Sequence, residues 1–90
     1  MTDTMRTPNS ERLFMDGVAR RYKFANGRGA SVIRHDGSYG HESGLWELAV
    51  LDRHGDLDYS TPITSDVIGW LDEDAVNVLL DAIEALPKED

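Results

Sequence analysis

Residues 20–35 read RRYKFANGRGASVIRH, and residues 45–63 read LWELAVLDRHGDLDYSTPI. These two runs decide the fold. In the first, Tyr22 and Phe24 alternate with Arg21, Lys23 and Ala25, the period-two pattern of a half-buried strand. Asn26-Gly27 signals a hairpin turn, because both residues tolerate positive φ. Gly29 allows a bulge. Residues 30–35 form the returning strand, with Val32 and Ile33 on opposite faces. In the second run Trp46, Leu48 and Val50 share one face, and Leu45, Glu47, Ala49 and Leu51 the other. With Glu47 as its single polar residue, this strand is expected at the centre of the sheet, covered on much of both sides. Asp52-Arg53-His54-Gly55-Asp56 reads as a tight connection, and residues 57–63 as a shorter returning strand. Pro62 cannot donate to a ladder, so it belongs at an edge or at the strand's end.

Outward from the hairpins the signals change period. Ser65 or Asp66 can cap a short helical turn carrying Val67, Trp70 and Leu71, weakened by Gly69. Asp72 caps a better helix, with Glu73 and Asp74 at its positive end. Val76, Leu79, Leu80, Ile83 and Leu86 recur as one apolar stripe, and Pro87 ends it. Leu71 and Val76 have the spacing of a hydrophobic staple. Residues 11–18 fit either a helical turn or the start of a strand. The expectation is an α+β fold: a small antiparallel sheet of about four strands in two hairpins, with a C-terminal helix packed on one face. Residues 20–87 form the single ββββα domain, after a mobile or partly ordered segment over residues 1–19.

Ninety residues support one domain, which buries about 60–65% of its unfolded surface. The chain is 40% hydrophobic and 29% charged, a balance that suits a globular rather than a disordered protein. The absence of cysteine excludes a disulfide scaffold and a thiolate nucleophile or metal site, and fits a reducing cytosol. No apolar run approaches the ~20 residues of a membrane span. The first ten residues have no apolar h-region. A cytoplasmic protein without a membrane partner is expected.

The net charge of −8 divides unevenly. Residues 1–35 carry seven basic groups and three acids, a balance of +4, and residues 36–90 carry −12. The split reads either as a basic contact face beside an acidic one or as a basic strand neutralising the acidic helix. Overall acidity argues against a nucleic-acid partner, since phosphate contacts need clustered Lys and Arg. It permits a basic protein partner.

Candidate chemistry concentrates around the loop DGSYGHESG, residues 36–44. His35 and His41 lie beside carboxylates, but their spacing matches no zinc motif, and His54 belongs to another turn. No metal or cofactor is expected. Asp36, Ser38 and His41 compose a nucleophilic set on paper, yet such catalysis needs a rigidly held base and an oxyanion hole. A non-enzymatic protein is therefore expected, with no catalytic residue. Gly27-Arg28-Gly29-Ala30-Ser31 is superficially a phosphate loop, but it lies between two antiparallel strands instead of opening a helix. Backbone amides there, with Arg28 and Arg34 nearby, can still hold an anion. Tyr39 is either an anchor packed on the sheet or a contact residue.

The blocks Asn26 through Arg34, Ser38-Tyr39-Gly40, Gly44 through Leu51 and Tyr59-Ser60-Thr61-Pro62-Ile63-Thr64, closed by an acidic helix, resemble a family of small uncharacterised proteins of tailed phages. Those of actinobacterial hosts are the most similar. The resemblance covers roughly residues 22–86. It implies a cytoplasmic phage accessory protein and carries over no catalytic residue. Its relatives often have an aromatic where Arg28 stands here. The leading expectation is binding to a host or phage macromolecule through Arg28, Arg34, Ser38, Tyr39 and Gly40. A homodimer is compatible with large apolar groups on both sheet faces and one covering helix. The alternative is a small-ligand or nucleotide-sequestering protein, with a pocket beside Arg28, Arg34 and Tyr39.

Overall fold

The computed structural model describes residues 5–14, 17–34, 44–63 and 67–88. Five strands precede one helix: β1 (Ser10–Phe14), β2 (Gly17–Lys23), β3 (Gly29–Arg34), β4 (Trp46–Leu51), β5 (Ile68–Leu71) and α1 (Glu73–Glu84). The sheet order follows the chain, β1-β2-β3-β4-β5, and every neighbouring pair is antiparallel. The α+β class is as the periodicity implied. The strand count is five, not about four, and the second hairpin is built differently.

The β2–β3 hairpin and β4 hold the expected faces. Tyr22 pairs with Ala30 and Ala30 with Val50, while Val32 pairs with Leu48. Together with Trp46 they form the floor of the core. Val76, Leu80 and Ile83 of α1 cover that floor and are fully buried. Burying one such aliphatic side chain is worth about 1.5–3 kcal/mol. Asp72 caps the helix as expected, accepting from the Ala75 amide at 2.7 Å.

Two elements escape the pattern reading. Residues 68–71, expected in a helical turn, pair with β4 as an edge strand. The outer edge of β4 presents backbone groups that need partners, and a ladder supplies them where one weak helical turn would not. The expected returning strand over residues 57–63 reduces to a bridge between Leu51 and Leu57 and one bond from the Asp58 amide to the Val50 carbonyl, 2.8 Å. At the other edge, residues 10–14 form β1. Leu13 is 86% exposed there, so no apolar alternation marked the strand; its register against β2 does. Ahead of it, Met5 is buried in the core, and the Arg6 carbonyl accepts from the Tyr22 hydroxyl at 2.7 Å. The Arg6 guanidinium pairs with Asp81 and Glu84 of α1 at 2.8 and 3.2 Å.

The two tight turns share one hydrogen-bond pattern. Phe24 and Asp52 each accept from the glycine three residues on and donate to the carbonyl four residues on. Gly27 and Gly55 both have positive φ, 87° and 82°. Asn26 does not, so the turn is a three-residue loop closed by glycine, not the two-residue Asn-Gly turn the sequence suggested. Gly29 is also not a bulge: it pairs in register with Lys23 and Leu51. A Cβ there would stand 2.4 Å from the Tyr22 carbonyl oxygen, so close backbone approach is what requires glycine.

Freed from the turn, the Asn26 amide reaches the end of α1. Its Nδ2 donates to the carbonyls of Ile83, Glu84 and Leu86 at 2.8, 3.2 and 3.1 Å, while its Oδ1 accepts from the Arg28 amide at 3.0 Å. The Glu84 carbonyl ends the helix without an i+4 amide of its own, the Ile83 carbonyl also accepts from the Leu86 amide at 3.1 Å, and the Leu86 carbonyl lies just past the helix. Asn26→Ala should therefore cost about 1–3 kcal/mol, lowering Tm by roughly 4–8 °C per kcal/mol. Thermal unfolding followed by circular dichroism checks it; an unchanged Tm would show that water replaces the cap at no cost.

Candidate functional site: a basic groove on the open sheet face

Arg28 and Arg34 stand at opposite ends of β3, about 20 Å apart by strand rise, and each has its own anchorage. The Arg28 guanidinium donates to the Pro87 carbonyl at 3.2 Å and pairs with Asp58 at 3.4 Å. Arg34 lies over the Trp46 ring, 4.3 Å from its centroid, and donates to the Gly44 carbonyl at 3.0 Å. Arg20 approaches the same ring at 5.3 Å and pairs with Glu11 at 2.8 Å. Arg28 and Arg34 are thus not brought to one pocket. Ser38, Tyr39 and Gly40, with His35 and His41, lie outside the described residues.

Other cations do come together. Since Tyr22, Val32 and Leu48 face the helix, strand alternation turns Arg21, Lys23, Ser31 and Ala49 to the opposite face. Arg12 pairs with Ala19 and Ser10 with Arg21, so they share that face. No described helix covers it. Arg12, Arg21 and Lys23 are exposed, and none has a carboxylate partner among the described residues. Between them the floor is made of small side chains: Ala19 and Gly29 are buried and Ser31 is half-buried. The turn at Gly55 rims one end, close to the Arg21 guanidinium.

Two recesses mark this face. One, of about 130 Å³, is lined by Ser10, Arg21, Lys23, Gly29, Leu51 and Gly55 among others. The other, of about 180 Å³, lies between Ser10, Arg12, Ala19 and Arg21. They share Ser10 and Arg21 and so form one shallow groove along β2. Asp52 also lines the first recess, but its Oδ1 is turned into its own loop, accepting from the His54 and Asp56 amides at 2.8 and 3.1 Å. Glu47 lies in the same cross-strand row as Arg12, Ala19 and Ile33, on the far side of β3. Negative charge thus bounds the groove toward β4. Sequence reading missed these residues because it treated Arg21 and Lys23 as one polar strand face. The signal was their alternation with Tyr22, extended once β1 adds Ser10 and Arg12.

A second exposed feature lies on β5. Trp70 is 66% exposed with φ 61°. Two residues, Gly69 and Trp70, stand opposite Glu47 between the Trp46–Leu71 and Leu48–Ile68 pairs, a bulge that re-aims the side chain. Tyr59 and Leu57 are exposed as well, on the connection that flanks β4. Among the described residues no three His, Asp or Glu side chains gather as a metal site, and no helix is long and apolar enough to cross a membrane.

No known protein family matches the chain, and neither a curated protein nor a solved structure does.

Two outcomes test this geometry. A left-handed backbone costs a non-glycine residue about 1–2 kcal/mol, and exposed Trp70 recovers little of it by packing. Trp70→Gly should leave the Tm unchanged or raise it; a fall of several degrees would mean that the indole packs. Asp58 has its pKa held below the ordinary 3.8, chiefly by hydrogen bonds from the Ser60 hydroxyl and amide and secondarily by Arg28, against the opposing effect of burial. A depressed carboxyl pKa adds stability that is present above the unfolded-state value and is lost as pH falls through the folded-state value. The Tm gap between the wild type and Asp58→Asn should accordingly be full at neutral pH and close below pH 3.8. A gap constant down to pH 2 would remove the assignment.

Proposed function

We propose that this chain is a non-enzymatic binding module whose contact surface is the groove of Ser10, Arg12, Arg21 and Lys23. One observation carries this reading. Arg6, Arg20 and Arg28 are held in ion pairs and Arg34 over an indole, whereas the three cations of one open face have no carboxylate partner among the described residues. A solvated face would also be polar. It would not need three cations over a floor of small residues on a chain whose net charge is −8. The partner is a macromolecule with a negatively charged contact patch. The resemblance to small tailed-phage proteins is the ground for regarding it as a host or phage component met in the cytoplasm.

The small-ligand reading has one observation in its favour, the 130 Å³ recess beside Arg21 and Lys23. That recess by itself suits a single phosphate or carboxylate group, and the ~300 Å³ at which ligand pockets begin is reached only by adding the second, of about 180 Å³, along β2. It supports an anionic subsite within a larger contact and not a nucleotide pocket.

Lysine-directed cross-linking tests the proposal cleanly, because Lys23 and Lys88 are the chain's lysines. In host lysate, partner cross-links should fall on Lys23 and disappear in Arg12→Glu/Arg21→Glu. Cross-links confined to Lys88 or the N-terminus, unaltered by the double substitution, would sink it.

A further inference from the structure

We infer that the groove takes an extended acidic peptide segment with carboxylates at alternate positions. The inference rests on the reading of the groove as the contact surface and adds what fills it. Lys23 and Arg21 are two residues apart on one face of β2, and Arg12 is the diagonal neighbour of Arg21 across the β1–β2 ladder. Their backbone positions are thus spaced by about 6.6 Å along the strand and about 7–8 Å on the diagonal. An extended peptide repeats its same-face side chains at that same ~6.6 Å interval. Three carboxylates at positions i, i+2 and i+4 can therefore each meet one cation without either chain bending. Guanidinium groups bind carboxylates in a bidentate fork, and two of the three cations here are arginines.

The floor fits a backbone. Ala19, Gly29 and Ser31 leave no bulky side chain between the cations, so a second chain can lie low over β2. Ser10, at the junction of the two recesses, offers a hydroxyl to the middle of the ligand.

A single-stranded nucleic acid has a similar charge interval but needs stacking platforms. No described aromatic ring faces the groove: Tyr22 contributes to the recess lining, yet its ring is buried in the core and its hydroxyl bonds the Arg6 carbonyl. The chain's net charge of −8 also opposes a long polyanion more than a short segment.

Fluorescence anisotropy with three labelled probes decides the matter at 50 and 500 mM NaCl. The first is an alternating Glu-Ser heptapeptide with four glutamates. The second has the same composition with its glutamates in one block. The third is an oligo-dT of equal charge. The alternating peptide should bind at least about fivefold tighter than the block isomer or the oligo-dT. Its binding should weaken at high salt and vanish in Arg12→Glu/Arg21→Glu, whose unchanged far-ultraviolet dichroism shows that the sheet is folded. Equal binding of the two peptides would overturn the spacing argument while leaving the groove as a contact surface. Preference for oligo-dT would overturn it in favour of a phosphate backbone. Failure of a folded wild type to bind any probe would overturn both this inference and the reading beneath it.

Discussion

Among the described residues, one twelve-residue helix covers a five-stranded sheet. Its length is about 18 Å at 1.5 Å per residue, which spans one face of such a sheet and no more. Every other feature follows from that limit. The face beneath α1 is apolar and closed, whereas no described helix covers the opposite face, where Arg21 and Lys23 are exposed and Ala49 and Leu51 are buried. Alternation along β2, β3 and β4 sorts the side chains accordingly, with Tyr22, Val32, Leu48 and Val50 to one side and Arg21, Lys23, Ser31 and Ala49 to the other.

The helix is held from its middle to its C-terminus by residues distant in sequence. Near its middle and C-terminal half, Arg6 pairs with Asp81 and Glu84, and the Arg6 amide donates to the Asn77 side chain at 2.7 Å. At its C-terminus the Asn26 amide satisfies three carbonyls. The exposed ion pairs contribute about 0–1 kcal/mol each. Met5, buried in the same core, contributes more through its apolar area. The segment that begins the described chain is thus part of the core's lid, with its backbone tied to Tyr22 by a 2.7 Å bond.

This division also explains the charge asymmetry. Neutralisation of the acidic helix by the basic N-terminal third accounts for Arg6, and local pairing accounts for Arg20 and Arg28. It does not account for Arg12, Arg21 and Lys23, which are on the other side of the sheet from the helix. A carboxylate on α1 and a guanidinium on that face have the sheet and the core between them, so they are not in contact.

Short-range pattern in the sequence suffices for β2, β3 and β4, for the presence of a turn at Gly27 and at Gly55, for the Asp72 cap and for the apolar stripe of α1, because each depends on residues within a few positions of one another. Arg28 and Arg34 looked like neighbours for the same local reason, being six positions apart on one strand, and a strand keeps such residues apart. Tertiary structure alone decided which strand lies beside which. It made an edge strand of residues 68–71, whose short apolar run fits helix or strand equally, because the outer edge of β4 needed partners. It recruited residues 10–14, whose exposed Leu13 gives no alternation to read. Only that recruitment sets Arg12 beside Arg21, since the two lie on different strands and meet through a register that pairs Ser10 with Arg21. The groove is a property of pairing between strands, and pairing is the information that a local pattern does not contain.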